Sequence, residues 1–290
     1  MMESSAAAVD EVRAPHSSGT GRPRLKAPLN ACDCHHHLFD TRVPSDPPTE
    51  TRPDVTVADY RLLQKRIGTS RNVVVTASNY GTNNQVATDA IEQMGASARG
   101  IAVVDLNVTV AELKRLDGLG VRGIRISRSR VAYLNDIKPL AMRVADLGWS
   151  IQFNLLIKDV VAAEGLLGEL PSTIVFDNLA CIDNVNDPAL NVINRLLDKG
   201  RTWVKLAGIH VASKDGAPTH SDLVAVAKAY VTAAPERMVW GSGWPHTSRK
   251  AQANDAWDFD LNLEWAPDAA TRELILVRNP EVLYGFPKTI

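Results

Sequence analysis

Eight short runs rich in β-branched and other apolar residues recur along this sequence, and helical patterns or loops separate them. Strands that alternate with helices favour a parallel sheet covered by helices. Eight such units over roughly 260 residues predict an α/β fold with one (β/α)8 domain, a TIM-like barrel. The predicted strands are 31–35, 72–77, 100–104, 123–126, 150–154, 173–177, 203–206 and 238–241.

Helical patterns lie between the predicted strands. In segment 136–147 the residues Ile137, Leu140 and Val144 recur at helix spacing, and Gly148 follows as a stop signal. An open doubly wound sheet is the alternative fold, but no glycine-rich phosphate loop follows the first strand, which favours the barrel. The predicted helices are 85–94, 136–147, 160–167, 190–197 and 222–233.

Polar and apolar residues alternate in these strands as a closed barrel requires. Ile151, Phe153 and Leu155 share one face, whereas Gln152 and Asn154 share the other. The apolar face is expected beneath the helices and the polar face at the mouth of the barrel, where such enzymes place their chemistry. The polar residues predicted at strand ends are His35, His37, Thr76, Ser78, Asp105, Asn107, Arg125, Arg128, Arg130, Gln152, Asn154, Asp177, Asn178, Lys205, His210 and His246.

The first strand carries an unusual histidine cluster at its end. Strict alternation predicts that Asp33, His35 and His37 face one way and that Cys34 and His36 face the other. Two imidazoles two residues apart can bind a metal or polarise a carbonyl. Cys34 is expected to be structural, because its face should pack against helices. The alternative interpretation is a solvent-facing histidine turn.

Arginines and hydroxyl groups near the predicted mouth suggest an anionic ligand. Arg125, Arg128 and Arg130 follow the fourth strand closely, and planar guanidinium groups bind carboxylates bidentately. Arg125 is the strongest candidate, because its parity is opposite to that of the neighbouring isoleucines. Ser78 and Tyr80 lie in a polar stretch that could hold a ring oxygen or a hydroxyl. A solvated basic loop and a polar turn are the alternatives.

The composition excludes several classes of partner. Among 290 residues, 32 Lys and Arg balance 33 Asp and Glu, so the net charge of −1 predicts neither a nucleic-acid partner nor a membrane-surface partner. No apolar run reaches the roughly 18 residues of a membrane span. Three cysteines are too few for a disulfide framework, which favours a reducing cytoplasm.

Residues 1–28 read as a flexible tail before a barrel domain at 29–290. The tail is rich in Ala, Ser, Gly, Pro and Arg and lacks the hydrophobic core of a signal peptide. We expect it to be disordered or laid over the surface, and a position across a partner subunit would make the protein a homo-oligomer.

Several motifs resemble the amidohydrolase superfamily. Asp33-Cys34-His35-His36-His37-Leu38-Phe39 is similar to its first-strand signature. Trp240-Gly241-Ser242-Gly243-Trp244-Pro245-His246 and the stretch 279–286 are similar to the amidohydrolase-2 branch, which contains 2-pyrone-4,6-dicarboxylate lactonase and galactarolactone isomerase. Segments 120–125 and 203–208 match this branch too. The resemblance covers about residues 30–288 and implies a barrel that processes lactones in carbohydrate or aromatic acid catabolism.

The sequence departs from that branch at three positions. Asn178 stands where the branch usually has a histidine after Asp177. Gly243 stands where it usually has the aspartate that activates water. An arginine expected shortly after Gly208 is absent, and His210 stands there instead. These changes remove two catalytic groups and one anion contact.

A catalytic metal is not expected in this site. Zinc needs about three protein ligands and an open position. His35 and His37 supply two, whereas Asn178 and Gly243 remove the usual partners. The sequence therefore predicts no metal and no other cofactor.

The resemblance and its departures together imply a metal-independent enzyme that acts on a small carboxylated lactone or related cyclic acid, by isomerisation or hydrolysis. Loss of the usual base favours isomerisation, because internal acyl transfer needs no activated water. In that scheme His35, His37 and Lys205 polarise the carbonyl, and His246 or Asp177 transfers the proton. A lyase or decarboxylase, and an inactive binding protein that keeps the pocket, are the alternatives. The predicted substrate-binding residues are Ser78, Tyr80, Arg125, Arg128, Arg130, Gln152, Asn154, Asn178 and His210.

Overall fold

Each strand pairs in parallel with the strand that follows it in the sequence, in a computed structural model that describes residues 11–46, 48, 53–127, 133–247 and 253–290. The sheet order β1 to β8 is that of a nearly closed barrel, which confirms the predicted fold over the doubly wound sheet. Hydrogen bonds from Gly243 N to His35 O (2.8 Å) and from His37 N to Trp244 O (2.9 Å) join the last strand region to the first. The strands are β1 Cys32–His36, β2 Arg71–Val75, β3 Ala98–Ala102, β4 Val121–Ser127, β5 Ser150–Asn154, β6 Ile174–Phe176, β7 Thr202–Leu206 and β8 Met238–Trp240.

Helices connect the strands on the outside of the barrel. The predicted helix 85–94 has the observed bounds, whereas the predicted 160–167 is split at Ala163 into two short helices. No helix within the described ranges is long and apolar enough to cross a membrane. The helices are α1 Val57–Ile67, α2 Gln85–Met94, α3 Val110–Gly118, α4 Tyr133–Ala145, α5 Ile157–Ala162, α6 Glu164–Glu169, α7 Ala189–Asp198, α8 Ile209–Ala212, α9 Ser221–Ala233, α10 Asp255–Asp260, α11 Asn262–Trp265, α12 Ala269–Glu273 and α13 Asn279–Tyr284, with a π-helical turn at Leu274–Arg278.

Two hydrophobic clusters follow from the alternation along the strands. Ile151 and Phe153 belong to the large cluster beneath the helices, as predicted. A smaller cluster combines inward residues of several strands with Tyr284 and Phe286 from the end of the chain. Arg71, at the start of β2, lies over the Phe286 ring. The C-terminal segment therefore covers the end of the barrel at which the strands begin. The end at which the strands finish is not covered by this segment.

The first strand contains a β-bulge, and the predicted facing of its residues is wrong. Asp33 is opposite Asn72 but His36 is opposite Val74, so β1 has one more residue than β2 between these two pairs. Asp33 and His36 consequently both contact Tyr60 of α1, through a 3.0 Å hydrogen bond and a stacked ring respectively. Cys34 packs in the inner cluster rather than against helices.

The N-terminal segment lies against the barrel from residue 11 onward. Val12 and Ala14 are buried, Trp244 Nε1 donates to Pro15 O at 2.8 Å, and Ser18 N donates to Ala253 O at 2.8 Å. This segment therefore packs beside the strand-eight loop. The boundary between tail and barrel at residue 28 stays a prediction.

Candidate active site

A cavity of about 500 Å³ opens at the carboxyl ends of the strands. Most of the predicted site residues meet there although they come from distant parts of the chain. Asn79, from the polar stretch that contains Ser78 and Tyr80, also lines the cavity, as do Cys181, Asp183 and Thr247, which the sequence did not indicate. The predicted residues in the wall are His35, His37, Ser78, Arg125, Asn154, Asn178, His210 and His246.

Other predicted residues lie elsewhere. Lys205, Asp177 and Gln152 are fully buried beneath the cavity and do not line it. They can affect a ligand only through the residues that they contact. Tyr80 is buried against the Asp40 backbone, whose N–H donates to the Tyr80 hydroxyl at 2.8 Å. Arg128 and Arg130 fall outside the described residues.

Three strand-end residues named above do not line the cavity either. Thr76 donates its hydroxyl hydrogen to Asn84 Oδ1 at 2.9 Å, and Asp105 and Asn107 are exposed.

A buried ionic network forms the floor of the cavity. Arg125 Nε donates to Asp177 Oδ2 at 2.8 Å, and Lys205 Nζ lies 3.2 Å from Asp177 Oδ1. Lys205 also donates to Gln152 Oε1 at 2.5 Å. Burial opposes ionisation of Asp177, but Lys205, His35 and Arg125 hold the pKa of this carboxyl well below its usual range. The floor thus carries two cationic groups around one carboxylate.

Lys205 determines which nitrogen of His35 carries hydrogen. The Lys205 ammonium lies 3.2 Å from His35 Nδ1, and an ammonium can only donate, so Nδ1 accepts. Asp177 Oδ1 is farther from Nδ1, at 3.4 Å. Burial, together with Lys205 and Arg125, lowers the pKa of His35 to about 4 although Asp177 opposes this. A neutral ring with an acceptor at Nδ1 has its hydrogen on Nε2.

His37 has the opposite arrangement. Its Nδ1 lies 2.8 Å from Val75 O, and because a carbonyl can only accept, Nδ1 carries the hydrogen. Burial lowers the pKa of His37 well below its usual value, and His35 and Arg125 lower it further. The two ring centroids are 5.0 Å apart and the rings are nearly perpendicular, at 87°.

A second pair of histidines lies across the cavity. His246 Nδ1 is 2.7 Å from His210 Nε2, and His246 Nε2 is 3.0 Å from Asp255 Oδ1. Burial lowers the pKa of His246, but Asp255 outweighs this and the net shift is upward. His210 has its pKa lowered by burial and by His246, and its Nδ1 faces Asp258 at 3.5 Å. No spacing pattern in the sequence indicated Asp255 or Asp258 as partners of these histidines.

Gly243 leaves room that His210 occupies in part. Gly243 has φ of +72°, and a Cβ at this position would lie 3.5 Å from His210 Cε1. A Cβ would therefore make an ordinary van der Waals contact, although the positive φ strains any residue other than glycine. The ring belongs to His210 of the short helix α8, which follows β7.

A left-handed turn follows β6 and presents two cavity residues. Asn178, Leu179, Ala180 and Cys181 all have φ between 52° and 59°. Non-glycine residues pay about 1–2 kcal/mol each in this region, so the surrounding structure must hold the turn in place. Asn178 and Cys181 line the cavity as a result.

The floor residues do not fit a metal ion. Among the residues with described placement, no group of three or more His, Cys, Asp or Glu could hold one. The physical reason is local, because the Asp177 oxygens pair with Arg125 and Lys205. A metal bound by His35 and Asp177 would lie beside the Lys205 ammonium and be repelled.

Sequence comparison relates the chain to known enzymes. The family model described as amidohydrolase matches residues 32–286. A 2-pyrone-4,6-dicarboxylate hydrolase of Comamonas testosteroni is 30% identical over 284 residues, which is 91% of this chain and 92% of the relative. A D-galactarolactone isomerase of Agrobacterium fabrum is 28% identical over 286 residues, with 92% and 94% covered.

A solved structure has the same architecture. It is a probable 2-pyrone-4,6-dicarboxylic acid hydrolase from Acinetobacter baumannii with citric acid bound. The TM-score is 0.79 at 26% identity, and the match covers 89% of this chain and all of that chain.

Proposed function

The chain belongs to the amidohydrolase family, and we propose that it transfers the acyl group of a small carboxylated lactone by a metal-independent reaction. The relatives that share about 30% identity over most of the chain act on such compounds by hydrolysis or isomerisation. These two reactions share their first step, attack of an oxygen nucleophile on the lactone carbonyl. They differ only in whether that oxygen comes from water or from the substrate itself.

The observation that carries this proposal is the 3.2 Å contact between Lys205 and His35. It leaves His35 neutral with a hydrogen on Nε2, at the wall of the cavity. A fixed N–H donor can stabilise the oxyanion that develops when the carbonyl is attacked. In this proposal His35 touches the substrate, and Lys205 acts through it as a positioning residue.

Arg125 is the proposed contact for the substrate carboxylate. Its Nε holds Asp177 while the guanidinium lines the cavity, so the group is fixed before the ligand arrives. Fixed guanidinium groups bind carboxylates with little loss of side-chain entropy. Citric acid in the related structure is consistent with a site for small polycarboxylates. Arg128 and Arg130 remain candidates for further carboxylate contacts.

Isomerisation is favoured over hydrolysis in this proposal. Gly243 has no carboxylate to activate water, whereas internal acyl transfer uses a hydroxyl that the bound substrate already carries. Asp177 is paired with two cations and buried, so it is a poor proton carrier. His246, the other predicted proton carrier, lies 2.7 Å from His210 and 3.0 Å from Asp255. Asn154, Asn178 and Ser78 are proposed hydrogen-bond partners of the substrate oxygens.

The proposal also covers the location of the protein in the cell and its oligomeric state. We propose a cytoplasmic enzyme of carbohydrate or aromatic acid catabolism, because Cys32, Cys34 and Cys181 are free thiols. The N-terminal segment is a candidate contact for a second copy of the chain.

A turnover screen tests the proposal against its alternatives. The probes are 2-pyrone-4,6-dicarboxylate and D-galactarolactone, each given to the wild type, to His35→Ala and to Arg115→Ala, whose arginine is exposed on α3. We expect conversion of at least one lactone by the wild type and by Arg115→Ala, and loss of it in His35→Ala. Thermal shifts without product would instead indicate a binding protein, and carbon dioxide release would indicate a decarboxylase.

A further inference from the structure

We propose that Nε2 of His37 is the general base that activates the attacking oxygen, in the role that Gly243 leaves unfilled. This inference rests on the proposed function and deepens it, because it assigns opposite tasks to the two histidines of the first strand. His35 donates to the carbonyl oxygen, and His37 accepts the proton of the nucleophile.

Backbone geometry fixes the His37 tautomer. The hydrogen of Nδ1 is donated to Val75 O at 2.8 Å, so a neutral ring has its lone pair on Nε2. Within the described part of the chain, Nε2 has no hydrogen-bond partner, whereas the ring lines the cavity. A donor role for His37 toward a carbonyl therefore disagrees with its hydrogen bond.

The other cavity histidines are less suited to this role. His246 has both ring nitrogens engaged, by His210 and by Asp255. His210 gives its Nε2 to the same pair. For either ring to accept a proton from the substrate, a short contact would have to break first. His37 needs no such rearrangement.

The surroundings keep His37 neutral. Burial lowers its pKa most, His35 and His36 of β1 and Arg125 of β4 lower it further, and the hydrogen bond to Val75 O opposes this shift. His210, His246 and Asp183 line the same cavity. The ring is therefore neutral at neutral pH, and its lone pair lies on Nε2 because Nδ1 carries the hydrogen.

The proposed step balances without another reagent. The attacking oxygen, from a substrate hydroxyl or from water, bonds to the carbonyl carbon while its proton moves to His37 Nε2. The ring ester C–O bond then breaks, and the released oxygen receives that proton. His35 Nε2–H stabilises the carbonyl oxygen throughout. His37 is neutral again at the end.

The tautomers can be measured without any substrate. Long-range proton–nitrogen NMR spectra of the full chain labelled with ¹⁵N-histidine distinguish hydrogen on Nδ1 from hydrogen on Nε2, and His37→Gln and His35→Gln assign the signals. We expect hydrogen on Nδ1 in His37 and on Nε2 in His35. Hydrogen on Nε2 of His37, or a charged His37 at pH 7, would overturn the inference even if the protein converts lactones.

Kinetics on a converted lactone supply the second test. His37→Gln should lower kcat by about 10²–10⁴-fold, the usual size of a general-base contribution, with a smaller change in KM. Added imidazole should restore part of the activity of His37→Gly. His16→Gln, in the N-terminal segment, is the control and should leave kcat unchanged. A loss confined to KM, or a kcat within a few-fold of the wild type, would contradict the base assignment.

Discussion

The Lys205 ammonium lies 3.2 Å from His35 Nδ1, beneath a cavity that Lys205 itself does not line. The lysine is fully buried, and its partners are His35, Asp177 and Gln152. Burial lowers its pKa, and Asp177 opposes that shift. Lys205 therefore acts on the substrate through the tautomer of His35 rather than by contact.

Lys205→Met should disable His35 without removing it. With no ammonium to donate, His35 Nδ1 can carry the hydrogen toward Asp177, which turns its lone pair to the cavity. We expect kcat to fall by about 100-fold or more, as when an oxyanion donor is removed. The NMR signal of His35 should move to the Nδ1–H tautomer.

The same variant should destabilise the fold. Removing one partner of a buried ion pair typically costs about 3–5 kcal/mol, because Asp177 is left with less compensation. Urea unfolding measures the loss. Lys214→Met, which removes an exposed lysine paired with Asp183, is the control and should unfold like the wild type. An unchanged His35 tautomer in Lys205→Met would contradict the positioning role.

Arg125→Ala should weaken binding of the acid substrate. Losing a charge-assisted contact of this kind costs a few kcal/mol, and about 100-fold in affinity corresponds to roughly 2.7 kcal/mol. Arg125→Lys should recover only part of the affinity, because a point charge replaces a planar fork. Calorimetric titration with the acid and with its neutral amide separates the roles, because only the acid should respond to the mutation. Equal responses of acid and amide would mean that Arg125 only supports Asp177.

Purified protein should not depend on a metal. Lys205 and Arg125 place positive charge where a metal bridging His35 and Asp177 would have to lie. We expect elemental analysis to find only substoichiometric zinc and manganese and expect chelators to leave activity unchanged. One metal per chain, with activity lost on chelation and restored by the ion, would show that this reading of the floor is wrong.

Acid should destabilise the protein before it inactivates the site. Burial lowers the pKa of His35 to about 4 and that of His36 to about 3, below the value near 6.5 of an unfolded histidine. Below pH 6.5 the unfolded chain therefore binds protons that the folded chain does not, and stability falls as pH falls. Each such histidine contributes up to about 1.4 kcal/mol per pH unit.

Asp33 works in the other direction. Burial raises its pKa to about 6, so between pH 6 and about 4 the folded chain holds a proton that the unfolded chain has lost. This offsets about one histidine. Urea unfolding should still show a net loss of stability between pH 6.5 and 5.5, while turnover per folded molecule persists there because His35 and His37 remain neutral. A turnover that halves near pH 6.5 would contradict this.

The barrel could be predicted because its signal is local. Alternation in β5 distinguishes Ile151 and Phe153 from Gln152, and each helical pattern is contained within its own segment. The clustering of strand ends then follows from the topology, since all parallel strands deliver their last residues to one end. That argument brought His35, Arg125 and His246 together correctly.

Depth and facing could not be predicted, because they depend on register between strands. The bulge that turns Cys34 inward is visible only as a mismatch between β1 and β2. Lys205 and Asp177 lie too deep for substrate contact, whereas His35 and Arg125 also lie within strands but reach the cavity wall, so position along a strand alone does not distinguish them. The left-handed turn at Asn178 and the pairing of His246 with Asp255 likewise require tertiary contacts that no local pattern encodes.

The most direct test of the central claim is conversion of D-galactarolactone in oxygen-18 water, analysed by mass spectrometry and NMR. We predict that the wild type produces a ring-shifted lactone without label. Gly243→Asp should add a labelled ring-opened acid, whereas Gly243→Ala, which carries similar backbone strain at φ of +72° without a carboxylate, should not. A labelled acid from the wild type at rates typical of enzymes would contradict internal acyl transfer. Absence of any conversion of this lactone or of 2-pyrone-4,6-dicarboxylate would contradict the lactone assignment itself.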